Sequence, residues 1–426
     1  MDKKLEIKVD GKSWEFPLLI GTDGKLAIDI QDLYYKTGFI TYDPGLYNTA
    51  NTTCNISIKD PEKGILSYRG YSIEELARHS TFVETSYLLI FGELPGKEDL
   101  QKFSRSLSQN SMIHEDMANL FDGFPGKAHP LAILSTMITA LSSYIEVDSS
   151  DLGASVDQVT KLLGTIRTMA AFSYKKMIGE PFIFPLARLP YAENFLYMLF
   201  STPSSHYVPP EEHIKILNKI WILYAEHEQN VSTAAVEIIG STQANVFASI
   251  NAGVTALWGT REGHRNAGAL ELLEDILHNG IDYREYFDRF KDAEADLYPL
   301  GFGHKAYDVT SPRAVLAREM FVDFYKTNPL DDLARLAMEV DEYILNDSHF
   351  QKKRFYPNLE FYSGVIFYSL GIPKEMFSVM QAIGKLPGWI AHWREIQRKD
   401  KYQYVSPRQI YDGNTNKKYR KMSERD

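Results

Sequence analysis

Three short segments carry the side chains that are suited to chemistry in this chain. They read YAEHEQN at 224–230, GFGHKAYDVTSPR at 301–313 and YPNLEFYSG around Glu360. Each segment sets a His, an Arg or a carboxylate beside glycines or aromatic residues. An imidazole donor stabilises charge that develops on a carbonyl oxygen, and a guanidinium matches the geometry of a carboxylate. Together the segments are typical of a helical enzyme that converges on a small anionic substrate.

Length, charge and cysteine content narrow the class of protein. The chain has 426 residues, which is too long for one ordinary core and predicts two or three domains. The formal charge of −10 argues against nucleic acid as the main partner. Cys54 is the only cysteine, so an intramolecular disulfide is impossible and a cytoplasmic location is predicted. The start, MDKKLEIKVDG, lacks the apolar core of a signal peptide, and no run of 18 apolar residues predicts a membrane span.

Local patterns predict a β-rich start that is followed by helices. Turn signals at Asp10-Gly11 and at residues 22–24 indicate a small β-rich section near the N-terminus. Ser72 and Glu75 have the spacing of a helix capping box, and prolines such as Pro387 are expected to interrupt helices. The segments 85–91 and 131–145 are apolar enough for core helices. One further helix face is indicated by the spacing of Leu333, Leu336, Ala337, Val340 and Ile344.

Further motifs occur in order along the chain, namely GILSYRGY from Gly64, SIEELA, FGELP, ALWGTREGHRNAGALELLE and GWIAHW. With them, the chain resembles the citrate synthase family, in its Gram-negative bacterial type, over nearly its whole length. The resemblance implies a mainly α citrate-synthase fold with a large and a small helical domain and a dimer as the minimal unit. The implied boundaries are 1–50 for the β-rich section, 51–262 for the large domain, 263–370 for the small domain and 371–426 for the return to the large domain and the tail.

Several residues keep the family's pattern, and the resemblance implies their roles. His227 would bind a carboxylate of the 2-oxo acid, His304 would polarise its carbonyl, and Arg313 would hold a carboxylate. The glycine-rich stretch Gly301, Phe302 and Gly303 would lie against CoA. Acetyl-CoA is the implied substrate, and neither a tightly bound cofactor nor a metal ion is expected.

Other residues depart from that pattern. The family's enol-stabilising His falls on Glu262, and its catalytic Asp falls on Glu360. Two family arginines fall on Lys385 and Ser406, and a further His falls on Tyr224. Glu360 keeps a carboxylate and remains a candidate base. An ionised Glu262 would repel an enolate, so it would help only when protonated, in a pair that shares one proton with Glu360. The alternative is that Glu262 marks a site without activity.

The neighbours of Glu262 leave alternatives open. His264 stands where the family has Gly, and a shifted loop would bring it in as the missing imidazole. Two residues along a helix turn a side chain by about 200°, which would face it away. Arg261 and Arg265 replace small neutral residues. They either compensate for the arginine lost at Ser406 or are charges that face solvent.

The leading interpretation is an enzyme of altered specificity that condenses an acyl-CoA, acetyl-CoA first, with a 2-oxo acid. That acid would differ from oxaloacetate at its far end, for example in a different carboxylate or a phosphonate, which Lys385, Ser406, Arg261 or Arg265 would receive. His264 is a further candidate for substrate binding. A noncatalytic paralogue that binds CoA or a 2-oxo acid is the second interpretation, and an ordinary citrate synthase is the third. Self-association as a homodimer or hexamer is expected, with no nucleic-acid or membrane partner.

Overall fold

The computed structural model describes residues 3–145, 156–294, 297–303, 306–399 and 404–425. Helices account for 54% of the structure and strands for 8%, which confirms the mainly α fold predicted from the sequence. The chain divides into two compact units, which are residues 1–53 with 405–426, and residues 54–404. The residues after 404 therefore group with the N-terminal section. The predicted boundaries at 262 and 370 stay predictions.

The first unit is organised by an antiparallel sheet in the order β1-β2-β3. Its elements are β1 Lys4–Val9, β2 Lys12–Ile20, β3 Leu26–Ile28 and α1 Leu33–Thr37. Asp10 and Gly11 have φ angles of 51° and 76°, and Val9 pairs with Lys12. Positive φ at both central residues is what the favoured two-residue hairpin turn requires. The predicted β-rich start and its first hairpin are confirmed.

The second unit is built almost entirely of helices beside a small antiparallel sheet in the order β4-β5-β6. Its strands are β4 Ser57–Asp60, β5 Ile65–Tyr68 and β6 Tyr71–Ser72. Its first ten helices are α2 Ile73–His79, α3 Phe82–Phe91, α4 Lys97–Gln109, α5 Glu115–Leu120, α6 Pro130–Leu141, α7 Val156–Ile178, α8 Tyr191–Phe200, α9 Glu211–Tyr224, α10 Val231–Gly240 and α11 Val246–Ala256. The others are α12 Arg265–His278, α13 Tyr283–Asp288, α14 Pro312–Phe324, α15 Asp332–Asn346, α16 Ser348–Lys352, α17 Leu359–Ser369 and α18 Phe377–Gln397.

Local sequence signals are confirmed where short-range interactions decide the structure. The Ser72 Oγ accepts a hydrogen bond from the backbone N–H of Glu75 at 3.2 Å and caps α2. The apolar runs predicted as core helices lie largely in α3 and α6. The predicted face of α15 is buried at all five positions, at Leu333, Leu336, Ala337, Val340 and Ile344. No helix in the described ranges is both long and apolar enough to cross a bilayer.

The long helix α18 packs against α3, α9, α10 and α11, and α12 packs against α15 and α17. Pro387 lies inside α18, so the expectation that it interrupts a helix is wrong. A proline at this position cannot donate the backbone bond to the carbonyl four residues earlier. Leu386, Gly388 and Trp389 around it are buried, so tertiary packing holds the helix together despite the lost bond.

Replacing Gly388 by Ala should destabilise the second unit. A Cβ on this residue would lie 2.2 Å from the backbone oxygen of Ala225 and 2.5 Å from Oε2 of Glu226. Overpacking of this kind costs about 1–3 kcal/mol, which outweighs the higher helix propensity of Ala. We expect a lower urea midpoint by circular dichroism. Gly123→Ala is the matched control, because no atom lies within 4 Å of its added Cβ. Equal midpoints for the two variants would contradict the argument.

Candidate functional site

The segment between α9 and α10 is fixed by its own polar side chains. Glu228 has a φ of 57°, which is unusual for a residue other than glycine. Its carboxylate accepts from the Lys59 backbone N–H at 2.8 Å and pairs with the Lys59 ammonium at 3.0 Å. Asn230 caps α10 by accepting from the Thr233 backbone N–H at 3.0 Å. These bonds set the direction in which the intervening residues, including His227, face.

His227 lies beside residues of the 301–313 segment, as the sequence predicted. Its Nε2 lies 3.1 Å from the hydroxyl of the buried Tyr307. Arg313, in the first turn of α14, is 6% exposed, and its Nη1 donates to the Leu223 carbonyl at 3.4 Å. Its Nε has no hydrogen-bond partner, and no carboxylate pairs with it in the described part of the chain. A buried guanidinium without a counter-charge is a ready site for a carboxylate.

Glu360 stands in the first turn of α17. The Asn358 side chain caps this helix by accepting from the backbone N–H groups of Glu360 at 3.1 Å and of Phe361 at 3.3 Å. A carboxylate at a helix N-terminus is favoured by the helix dipole. Burial, and after it the charge of Glu360, raises the pKa of Tyr224 above its ordinary value. The Glu360 carboxylate therefore lies close enough to the buried Tyr224 to interact with it electrostatically.

The glycine-rich stretch 301–303 is paired with the segment that precedes Glu360. Phe302 and Pro357 form an antiparallel bridge, and the Gly303 N–H donates to the Tyr356 carbonyl at 2.8 Å. Gly301 and Gly303 have φ angles of 92° and 69°. The Gly303 N–H is thus occupied within the protein, and the Phe302 ring stacks on Phe355 in an aromatic core. The predicted contacts of this stretch with CoA stay predictions.

Glu262 and Lys385, two of the departures, form an ion pair with each other. The Glu262 Oε1 lies 3.4 Å from the Lys385 Nζ, with the side chains 21% and 15% exposed. The Ser232 hydroxyl, which donates to the Asn230 side-chain oxygen at 2.6 Å, lies 3.3 Å from the same Glu262 oxygen. In the contact with the Lys385 ammonium, Glu262 is the acceptor. No hydrogen bond joins Glu262 to Glu360 among the described residues, so the proton-sharing pair has no support in these contacts.

The remaining candidate residues lie elsewhere. His264 is 41% exposed, and its Nε2 lies 3.2 Å from Glu271. Arg261 is exposed, and its carbonyl accepts from the Arg265 side chain at 2.9 Å. Ser406 is exposed and belongs to the first unit. His304 lies outside the described residues. The roles predicted for these residues stay predictions.

A buried charge network lies behind His227. The His392 Nε2 lies 3.2 Å from Glu226, its Nδ1 lies 3.0 Å from Glu237, and all three side chains are almost fully buried. Burial alone would lower the pKa of His392, but the charges and hydrogen bonds of the two carboxylates raise it well above its ordinary value. Burial alone would raise the pKa of Glu226, but the charge and hydrogen bonds of its partners, led by His392, lower it overall. We conclude that His392 is an imidazolium held between two carboxylates.

Buried polar side chains connect the elements that carry the candidate residues. The Asn266 amide donates to the Tyr224 hydroxyl at 2.7 Å and to the Ser363 hydroxyl at 2.6 Å. Gln381 donates to the Gly263 carbonyl at 3.0 Å and to the Asn266 side-chain oxygen. This network fastens the Glu262 loop, the Glu360 helix and the end of α9 to α18, because each contributes one partner.

A small pocket opens beside these groups. It is lined by Tyr224, Ala225, Glu226, His227, Asn230, Thr233, Lys385 and Trp389. The lining mixes an imidazole, an ammonium, a paired carboxylate and an aromatic wall. These side chains offer hydrogen-bond donors and acceptors to a small polar ligand. No cluster of three His, Cys, Asp or Glu side chains that could hold a metal ion occurs in the part of the chain that the structure describes.

Comparison with known proteins agrees with this fold. The family model described as citrate synthase, C-terminal domain, matches residues 45–408. The chain belongs to the citrate synthase family. Citrate synthase 1 of Mycobacterium tuberculosis is 40% identical over 421 residues, with 98% of each chain covered. Citrate synthase of Corynebacterium glutamicum is 38% identical over 427 residues, with 100% of this chain and 98% of the relative covered. The crystal structure of citrate synthase from Pyrobaculum aerophilum superposes with a TM-score of 0.82 at 28% identity, with 100% of both chains covered.

Membership of the citrate synthase family confirms the resemblance and the fold that it implied. The residues that contact or support His227, namely Tyr307, Glu226 and His392, were not predicted from the sequence. Tyr307 stands six residues before Arg313 in a segment already singled out, and Glu226 immediately precedes His227. His392 lies in the GWIAHW motif. Buried acidic residues within apolar helices were a usable signal, because a buried charge needs a partner.

The buried network predicts how stability depends on pH. The pKa of His392 is raised, so its contribution is complete below the ordinary value of 6.5 and is lost as the pH rises through the raised pKa. The pKa of Glu226 is lowered, so its contribution is complete above the ordinary value of 4.5 and is lost as the pH falls through the lowered pKa. The stabilising effect of His392 should therefore be largest between about pH 4.5 and 6.5.

The measurement is the free energy of unfolding of the wild type minus that of His392→Gln, from urea titrations at several pH values. The exposed His79 supplies the control variant His79→Gln, which should leave the pH dependence unchanged. A difference that stays constant from pH 4 to pH 9 would show that His392 is not charged in the folded protein.

Proposed function

We propose that the protein catalyses a condensation of the citrate-synthase type, in which an acyl-CoA, acetyl-CoA first, is joined to a 2-oxo acid. The acid differs from oxaloacetate at its far end. One observation carries the proposal: Arg313 is buried beside His227 and Tyr307, and its Nε has no partner. A guanidinium kept without a counter-charge is costly unless a ligand supplies one. Family membership supports the reaction type.

The proposed chemistry starts at Glu360. Its carboxylate takes a proton from the carbon beside the thioester carbonyl, and that carbon then forms a bond to the 2-oxo carbon. The 2-oxo oxygen gains a proton and becomes a tertiary alcohol, with His304 as the proposed donor to this oxygen. Water then cleaves the thioester and releases CoA as a thiol. Glu360 stands in the first turn of α17, where the helix dipole favours a carboxylate.

Glu262 has a different proposed role from the one that the sequence suggested. In the ion pair with Lys385 it is an acceptor, and it holds the ammonium at the edge of the pocket. Glu262 therefore positions Lys385, and stabilisation of the enolate by a protonated Glu262 is not part of the proposal. Gly301, Phe302 and Gly303 remain the proposed contact region for CoA.

Two other functions have specific support. The names of the relatives favour an ordinary citrate synthase. The ion pair at two positions where the family has His and Arg favours a noncatalytic paralogue that binds CoA or a 2-oxo acid. Self-association as a homodimer or hexamer is part of the proposal, and exposed tyrosines of the first unit, among them Tyr35 and Tyr47, support it. The cytoplasmic location rests on the single cysteine.

A thiol-release assay with acetyl-CoA and a panel of 2-oxo acids separates these functions. We expect release with at least one acid other than oxaloacetate and little release with oxaloacetate. The reason is that Lys385 and Ser406 offer fewer bidentate donors than two arginines, and a lost charged hydrogen bond costs about 1.5–3 kcal/mol. Robust release with oxaloacetate would favour the ordinary enzyme. No release with any acid would favour the noncatalytic protein.

Glu360→Gln should abolish the exchange of acetyl-CoA methyl protons for deuterium. Loss of a general base typically lowers a rate by about 100-fold or more. The matched control is Glu339→Gln, the same substitution at an exposed position of α15. Mass spectrometry of acetyl-CoA incubated in D₂O gives the readout without an acceptor. Exchange at the wild-type rate in Glu360→Gln would show that another group is the base.

A further inference from the structure

The Glu262–Lys385 pair changes what the pocket beside His227 can bind. The pair spans 3.4 Å, and the Ser232 hydroxyl lies 3.3 Å from the same carboxylate oxygen. Both charged side chains are mostly buried. If the ion pair were broken, water would hydrate the two charges only in part, so breaking the pair is unfavourable. The Lys385 ammonium is therefore neutralised within the protein before any substrate arrives.

Among the described lining residues, Lys385 is the only Lys or Arg. The lining residue Glu226 and its neighbour Glu237 are two carboxylates that share the single His392 imidazolium. The charges of Glu262 and Lys385 cancel, and Glu226 and Glu237 share one cation. Carboxylates therefore outnumber cations among these groups. A second carboxylate on the substrate would have to break the pair or lie close to Glu262, and like charges at such distances repel.

Neutral hydrogen-bonding groups remain at the same end. The Trp389 Nε1 is buried and has no hydrogen-bond partner, and Trp389 lines the pocket together with Asn230 and Thr233. An indole N–H is a donor only, so it needs an oxygen acceptor. A hydroxyl, ether or carbonyl oxygen would satisfy it, and a short alkyl group would pack on the indole ring.

We propose that the acceptor is a 2-oxo acid with a single carboxylate and an uncharged far end. Arg313 and His227 hold the carboxylate and the 2-oxo group, and the Glu262–Lys385 pair is the specificity determinant that rejects a second anion. This inference rests on the proposed function, because it names the substrate class of the same site. The sequence had suggested a different carboxylate or a phosphonate at the far end of the acid. The inference replaces that charged group with an uncharged one.

The test measures binding to the full-length protein without acyl-CoA, so that it does not depend on turnover. Isothermal titration calorimetry compares pyruvate and 2-oxobutyrate, which have uncharged far ends, with freshly dissolved oxaloacetate and with 2-oxoglutarate. We expect the wild type to bind the monocarboxylates at least about tenfold more tightly than the dicarboxylates, a difference of about 1.4 kcal/mol.

Glu262→Gln should release the Lys385 ammonium while keeping the shape of the side chain. Oxaloacetate binding should then tighten by about tenfold, because the repelling carboxylate is gone and the ammonium is available. The double variant Glu262→Gln with Lys385→Met should lose this gain. Glu274→Gln is the matched control, because it breaks a Lys374–Glu274 pair of 3.2 Å outside the pocket and should leave all affinities unchanged.

The outcomes distinguish the inference from the proposed function. Binding of oxaloacetate by the wild type as tightly as pyruvate, or an unchanged ratio in Glu262→Gln, would overturn the inference and leave the condensation proposal standing. Failure of every 2-oxo acid to bind would overturn both. If Glu262→Gln does not fold, the ratio of the wild-type affinities for pyruvate and oxaloacetate decides the inference.

Discussion

Two buried carboxylates share one buried imidazolium, and much of the site is built on that pairing. Glu226 ends the α9 region, Glu237 belongs to α10, and His392 belongs to α18. None of the three charges is tolerable in the interior alone, because an uncompensated buried ion costs several kcal/mol. The helices can therefore come together only when the three side chains meet. His227 follows Glu226 directly, so its position depends on the same pairing.

The second constraint is uncharged and connects the parts that must act on one substrate. Tyr224, Asn266, Ser363 and Gln381 form a continuous set of hydrogen bonds through the interior. Each bond joins a different element, and together they fix the Glu262 loop and the Glu360 helix relative to α9. Fully satisfied buried networks give rigidity, whereas a partly satisfied network would be destabilising. The substitution at Tyr224, which looked incidental in the sequence, places its hydroxyl at the centre of this set.

The departures from the family's pattern are coupled to one another. The resemblance places Glu262 where the family has an imidazole and Lys385 where it has a guanidinium, and these two residues form one ion pair. Either change alone would leave a charge without its partner in a partly buried place. Together, the two residues leave the Lys385 ammonium compensated by Glu262. The Arg313 guanidinium has no such carboxylate partner among the described residues. The proposed function therefore gives the site one anion-binding end at Arg313 and one neutralised end at the Glu262–Lys385 pair.

The sequence by itself determined the features that depend on neighbours a few residues apart. The Asp10-Gly11 turn, the Ser72 cap and the buried face of α15 follow from backbone sterics, local hydrogen bonds and helical periodicity. The order of motifs also determined the family. Only the tertiary structure decided that Pro387 lies within a helix, that Phe302 packs in the core and that Glu262 pairs with Lys385. Glu262 and Lys385 are 123 positions apart in the chain, and the energy of their contact exists only once the folded helices have brought them together.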